Sequence, residues 1–206
     1  MNPQKVDSDT RKKQILAAAT TVFARKGFDG TTMDDIMQAS GLSKGGLYWH
    51  FKSKDDIIAA ILVQFFSQEL EGLKTLIELE IPTGERLQLL GEVMAADMAQ
   101  MAELASLPLH FYALAARDDR MRQFLLDYFH QYRALLVALV QEGFDSGEFA
   151  SDLIRAGVIT ADAIALSLIA QLEGIALLWY VDPQSFDIRV QSEMAVRLLL
   201  QGLLKK

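Results

Sequence analysis

The sequence predicts an all-α protein: a small N-terminal unit of three helices containing a helix-turn-helix, followed by a larger helical domain. Three observations carry this. Apolar residues recur at helical spacing in nearly every long segment, and no segment alternates convincingly with period two. Two short helical stretches near the N-terminus are separated by a three-residue turn containing Gly41. Further along, the long apolar-periodic stretches are punctuated by Pro and Gly, with no internal repeat or low-complexity tract. The 206 residues suffice for a small domain fused to a larger one, with the division expected at 1–53 and 54–206.

Each element has its own signal. Ile15, Ala18, Ala19, Val22 and Phe23 make one apolar face, which predicts a first helix from about Ser8 to Lys26. Ser8 or Asp9 caps its start, and Gly27 after the basic pair Arg25–Lys26 stops it. Thr32 is placed to cap a short helix over Met33–Ser40, with Asp34 and Asp35 in the first turn, where the helix dipole favours acids. Gly41 ends that helix, Ser43 caps another that ends near Phe51, and Ser53 caps a long one to about Leu79. Further helices are expected over about 83–103, 107–117, 119–144, 161–180 and 187–204. Pro82–Thr83–Gly84, Pro108, the Gly143-to-Gly147 turn and Asp182–Pro183 supply the breaks. The small unit and the body share the long helix that begins near Lys54, so the joint between them is tight.

Composition narrows the function. There is no cysteine, which removes disulfides, thiolate metal sites and cysteine nucleophiles. The three histidines stand apart at 50, 110 and 130, and neither an HExxH nor a phosphate loop occurs. No enzymatic activity, metal or cofactor is therefore expected. The stretch Met1 to Thr10 is polar and predicts no signal peptide, so a cytoplasmic location is expected. Ala163 to Val181 spans 19 residues with one charge, Glu173. Gln171 and Glu173 near its middle, and the lack of flanking Lys/Arg, favour a buried or interfacial helix over a membrane span. The formal charge of −7 argues at first against nucleic acid, but it is unevenly spread. Residues 1–56 hold nine Lys/Arg against seven Asp, whereas residues 57–206 hold eleven Lys/Arg against twenty Asp/Glu. A mildly basic head on an acidic body can meet phosphate locally.

The informative stretch is Thr31 to Asp56. Ile36, Leu42, Leu47 and Phe51 can close a small core against Ile15 to Phe23. On a helical wheel the second short helix buries Leu47 and Phe51 and turns Gly45 and Trp49 away, flanked by Gly46, Tyr48 and His50. Two glycines in so short a helix cost about 1 kcal/mol each relative to alanine. Glycine permits close approach of a partner, and a helix that tolerates both penalties reads as a functional surface. Tyr48 and His50 can donate to phosphate, and Trp49 can pack against sugar or a thymine methyl group. Lys44, Lys52 and Lys54 supply charge, Thr31 and Thr32 add donors, and Ser43 completes the set at the helix start.

The stretch from the Thr pair through the Gly turn to Leu47-Tyr48-Trp49-His50-Phe51-Lys52-Ser53-Lys54 resembles the DNA-binding domain of the TetR family of bacterial regulators. The resemblance covers about residues 10 to 56 and implies DNA contacts from Thr32, Lys44, Gly45, Tyr48, Trp49, His50 and Lys54. Gly45–Gly46 stands where bulkier residues are often found, so specificity is expected to lean on Lys44, Trp49 and DNA shape. The resemblance also implies a helical C-terminal domain that dimerises and binds an effector, and a repressor released from a double-stranded DNA operator by a small molecule.

The body supports that independently. The segments at about 161–180 and 187–204 are apolar almost all round, and such helices must be buried on all sides. Pairing them with their copies would make a four-helix homodimer interface, and a dimer implies a pseudo-palindromic operator. For a largely apolar effector, the middle helices offer Met94, Met98, Met101, Phe111, Tyr112, Phe124 and Tyr128. The same residues would equally make an ordinary core. Asp97, His110, Gln171 and Glu173 are the polar groups that could orient a ligand.

Overall fold

The structure, a computed structural model, describes residues 8–100, 104, 106–149, 154 and 156–203. Among these residues it forms nine α-helices: α1 (Ser8–Lys26), α2 (Met33–Ser40), α3 (Lys44–His50), α4 (Lys54–Ile77), α5 (Thr83–Gln100), α6 (Ser106–Ala115), α7 (Asp119–Asp145), α8 (Ala161–Val181) and α9 (Ile188–Leu203).

The caps are those the sequence marks. The Thr32 hydroxyl accepts from the Asp35 amide while the Asp35 carboxylate accepts from the Thr32 amide, a reciprocal box that starts α2. Ser53 and Asp56 form the same box at α4, and Ser43 accepts from the Gly46 amide at α3. Gly41 ends α2 at φ 67°, a left-handed conformation that glycine adopts without steric strain. The helix expected over 83–103 is seen as far as Gln100, and its last turn lies outside the described residues. α4 stops at Ile77, and α6 closes at Ala115 because the Leu114 carbonyl accepts from both the Arg117 and Asp118 amides.

α1, α2 and α3 close around Ile15, Ala19, Phe23, Ile36, Leu47 and Phe51. Ile57, Ile58 and Leu62 of α4 carry the same apolar cluster on into the body, so head and body share one core. In the body, α7 packs against α4 and α8, and α9 packs against α5 and α8. The α4–α5 corner is pinned by Arg86, 4% exposed, which donates to the Ile77 carbonyl and the Thr83 hydroxyl and pairs with Glu142 of α7.

Within the single chain, α8 and α9 are each buried on one face only. α8 is long and apolar enough to cross a membrane, but it lays Ile164, Leu168, Leu172 and Trp179 on the core. Its other face exposes Leu166, Leu177, Leu178 and Val181. α9 buries Val196, Leu200 and Leu203 and exposes a second apolar stripe, Val190, Met194 and Leu198, between polar residues.

Candidate functional site

The helix-turn-helix presents α3 as an outward ridge. Leu47 is fully buried, and Trp49, two residues on, is 68% exposed, with its ring set edge-on to His50 at 4.5 Å. Lys44 is exposed and sits 6.0 Å above the Tyr48 ring. A Cβ added at Gly45 would meet nothing within 4 Å, so no packing among the described residues requires glycine there. Thr32 and Ser43 are exposed at the two helix starts. Their neighbour Asp35 is held at a pKa of about 2, first by its hydrogen bond from Lys26 and then by those from Thr32. Thr32 thus stands at the start of α2, and Ser43, Lys44, Gly45, Tyr48, Trp49 and His50 stand at the start of α3 and along it.

Two predicted contacts are placed otherwise. Thr31 is 1% exposed and its hydroxyl donates to the Gly27 carbonyl at 2.7 Å, so it braces the turn before α2 instead of offering a donor outward. The Lys54 ammonium donates to the Phe28 carbonyl at 2.7 Å and lies 4.4 Å from the centre of the Phe28 ring. It ties α4 to the α1–α2 turn. Lys52 folds back similarly, donating to the Tyr48 carbonyl.

His110, named above as a group that could orient a ligand, is engaged elsewhere. It lies at the junction of head and body, with Nε2 3.1 Å from the Asp55 carboxylate and its ring 4.0 Å from that of Phe28. Arg117 approaches the same carboxylate at 3.6 Å. α6 therefore touches the head through His110 while its next residue, Phe111, is fully buried in the body.

In the body, the structure gathers most of the expected pocket residues. Met94, Met98, Phe111 and Tyr128 are buried, and Tyr112 and Phe124 are half-buried. Phe66 stacks near Tyr128, Phe111 and Phe124 at 4.8, 5.8 and 6.2 Å. The Tyr132 hydroxyl meets the Met94 sulfur at 3.0 Å. Met101 lies outside the described residues. Gln171 is corrected: it is exposed, turned about 100° round α8 from the buried Leu172.

At the centre stand Glu69 and Glu173. Glu69 accepts from the Tyr128 hydroxyl at 3.1 Å, and Glu173 accepts from the Tyr112 hydroxyl at 2.9 Å. Burial pushes the Glu69 pKa up to about 8, with the charges of Glu173 and Asp97 adding and the Tyr128 hydrogen bond opposing. Burial raises Glu173 and Asp97 as well, and lifts the Tyr112 and Tyr128 hydroxyls far above their usual range.

Comparison with known proteins agrees with this geometry. Residues 15–61 match the family described as bacterial regulatory proteins, tetR family, and residues 83–204 match the BetI-type transcriptional repressor C-terminal domain. The chain belongs to the TetR family. It is 32% identical to the HTH-type transcriptional regulator YfiR of Bacillus subtilis over 151 residues, 72% of this chain and 74% of that one. It is 30% identical to the HTH-type transcriptional repressor KstR2 of Mycolicibacterium smegmatis over 151 residues, 70% of each chain. The crystal structure of FadR from Bacillus subtilis in complex with stearoyl-CoA superposes with a TM-score of 0.69 at 22% identity, covering 93% of this chain and 98% of that one.

As a TetR-family chain it is a DNA-binding transcriptional regulator, and its kinship runs through the body, well beyond the segment in which its motif is legible. The residue that sequence reasoning missed is Glu69. Its signal was present: an acid between Phe66 and Leu70, on the face of α4 whose helical spacing demands apolar residues.

Proposed function

We propose that two copies of this chain bind one pseudo-palindromic operator with paired α3 helices and that a small molecule in the body releases them. The supporting observation is the α3 ridge: an exposed Trp49 beside Tyr48, Lys44 and an unobstructed Gly45, on a helix anchored by a fully buried Leu47. Beyond its edge-on contact with His50, this tryptophan on a seven-residue helix stands largely exposed, and it suits insertion into a groove.

Thr32, Ser43, Lys44, Gly45, Tyr48, Trp49 and His50 form the proposed contact set, with residues 1–53 as the reading head and 54–206 as the sensing and pairing body. The exposed stripes on α8 and α9 supply the proposed homodimer face: Leu166, Leu177, Leu178 and Val181 on one, Val190, Met194 and Leu198 on the other. The assembly acts in the cytoplasm, where its operator is. α6 offers the route for release, since it touches Asp55 and Phe28 through His110 and the body core through Phe111. A ligand that favours one setting of α6 shifts the separation of the two heads, provided it binds the two settings unequally.

The test is fluorescence anisotropy on the DNA upstream of the chain's own gene, against a scrambled duplex, at about 150 mM salt. Tight binding that prefers the native fragment and is lost in Tyr48→Ala supports the reading. Equal weak binding to both duplexes, followed by failure to select any sequence from random DNA, removes it.

A further inference from the structure

A hollow runs along the flank of the molecule where α1 lies beside α4, outside the core of the body. Its larger part, about 680 Å³, joins head to body, because α1, the end of α3, α4 and the start of α7 all line it. Its apolar lining is Leu16, Phe51, Ala59, Ala60, Val63 and Met121. Above that stand Lys12 and Lys13 of α1, Lys52 after α3 and Arg120 of α7, with the His50 ring. Lys12 and Lys13 pair with no carboxylate among the described residues, and the Lys52 ammonium donates to the Tyr48 carbonyl, which leaves its charge unneutralised. Arg120 reaches Asp118 at 3.3 Å. Two acids line the same part, Asp9 and Asp56, and Asp56 is already engaged by the Lys52 and Ser53 amides. The balance of charge there is positive.

The smaller part, about 330 Å³, continues from the larger through Lys13, Leu16 and Gln64, which line both. Beyond Lys13 it carries no charge: Ala17, Thr20, Ile61, Phe65 and Gln68 complete it. Together the two parts follow α4 from Asp56 to Gln68, a rise of about 18 Å. A cationic end thus leads into a neutral, largely apolar trough. That is the complement of a molecule with an anionic head and an apolar tail.

We propose that this hollow binds an amphipathic anion, with a single apolar chain laid along α4 and a carboxylate, sulfate or phosphate group held by Lys12, Lys13 and Arg120. An amphipathic cation would meet like charges. A neutral alcohol would gain the trough and nothing from the lysines, and a bare anion would gain the lysines and nothing from the trough. The site is separate from the buried acids of the body, so the proposal does not rest on the effector reading above.

Occupancy has a consequence for DNA. His50 lines the hollow and ends α3, and Lys52 lies two residues beyond it. An anionic head there stands beside the end of the reading helix, and its charge reaches about 8 Å at physiological salt. It repels the phosphates that α3 is proposed to meet. The same head draws Lys12 and Lys13 of the reading head and Arg120 of the body towards one group. Binding in the hollow and binding to the operator therefore oppose each other.

The experiment is isothermal titration of the full chain with decyl sulfate, with decanol, decyltrimethylammonium and inorganic sulfate as controls. All are kept below micelle-forming concentrations, and near-ultraviolet circular dichroism shows that the chain and each variant stay folded. The expected result is decyl sulfate binding at least about tenfold tighter than decanol or the ammonium, with an advantage that shrinks as salt is raised. Inorganic sulfate should bind far more weakly than decyl sulfate. The double substitution Lys12→Gln with Lys13→Gln, at two exposed positions, should bring decyl sulfate down to the level of decanol. Ala60→Trp, which fills the apolar lining, should weaken decyl sulfate and decanol together. Equal affinity for sulfate and alcohol, tighter binding of the ammonium, or decyl sulfate binding indifferent to both variants would overturn the proposal. Binding that begins only at the micelle threshold would mean a surface is recognised and would overturn it as well. Anisotropy on the operator reads the consequence separately. Decyl sulfate should weaken operator binding several-fold in the parent chain and not in the Lys12→Gln, Lys13→Gln variant. Lysine-dependent binding of decyl sulfate with operator affinity unchanged keeps the site and removes the opposition to DNA.

Discussion

Lys44 and Trp49 sit on the same short helix and should fail in different ways. Lys44 is expected from the sequence to share in specificity, yet its exposed ammonium is a point charge, so Lys44→Ala should weaken operator and scrambled duplex alike and reduce the salt slope by about 1. Trp49 offers 68% of an indole to whatever lies opposite, so Trp49→Ala should lose about 1–3 kcal/mol on the operator and little on scrambled DNA. Anisotropy across a salt series separates the two, and a Trp49→Ala variant that loses both duplexes equally would make it a backbone contact. Glu69 makes a third residue-level prediction, about pH. Its ordinary value is 4.5 and folding raises it to about 8. Between those values the folded chain holds a proton the unfolded chain has lost, so this contribution is complete below about 4.5 and disappears as pH rises through 8. Urea unfolding should therefore show stability falling from about pH 5 to 8 by on the order of a few kcal/mol, and Glu69→Gln should flatten most of that decline. At this scale the sequence was only partly legible. Thr31 and Thr32 look alike in the chain, yet the turn after Gly27 sends one hydroxyl inward and leaves the other at the helix start. Lys54 reads as a phosphate ligand until the Phe28 carbonyl, 26 positions away, is seen to hold it.

α3 shows how an element can be built against its own stability. A Cβ at Gly45 touches nothing in the chain and would favour the helix, so Gly45→Ala should stabilise the head by up to about 1 kcal/mol. The same methyl group stands on the proposed DNA face, so operator affinity should fall. Thermal unfolding and anisotropy on one preparation test both, and a variant that gains stability with undiminished affinity would place Gly45 outside the contact. Elements were the most legible level because their signals are local. Thr32, Ser43 and Ser53 cap the helices they precede, and Gly41 ends α2, all within four residues of the backbone groups they satisfy. The junction was not legible for the opposite reason. His110 and Asp55 are 55 positions apart, and Phe28 comes from a third segment, so no periodicity in any one helix could bring them together. The split of α8 and α9 into one stripe on the core and one on the surface was not legible, because composition alone does not say which apolar residues the single chain covers.

At the scale of the whole molecule, those outer stripes decide what the protein can do. Leu178 and Val181 of α8 are 64% and 72% exposed, and Leu198 of α9 is 61% exposed. A chain that kept them in water would carry a large apolar patch on one flank, and patches of that kind mark interfaces. In the proposed dimer, pairing α8 and α9 with their copies would bury the stripes and set two α3 helices on one side of the assembly, where half-sites about 34–36 Å apart could be met together. The double substitution Leu178→Glu with Leu198→Glu places four acids in that interface while leaving the core untouched, since both side chains point outward. Sedimentation velocity should then show a monomer with an unchanged helical spectrum. Operator affinity should fall by about a hundredfold or more, because each head binds without the other's help. A variant that remains dimeric would move the interface elsewhere on the body. A monomer that still binds its operator tightly would mean that one α3 helix and its flanking caps suffice for recognition.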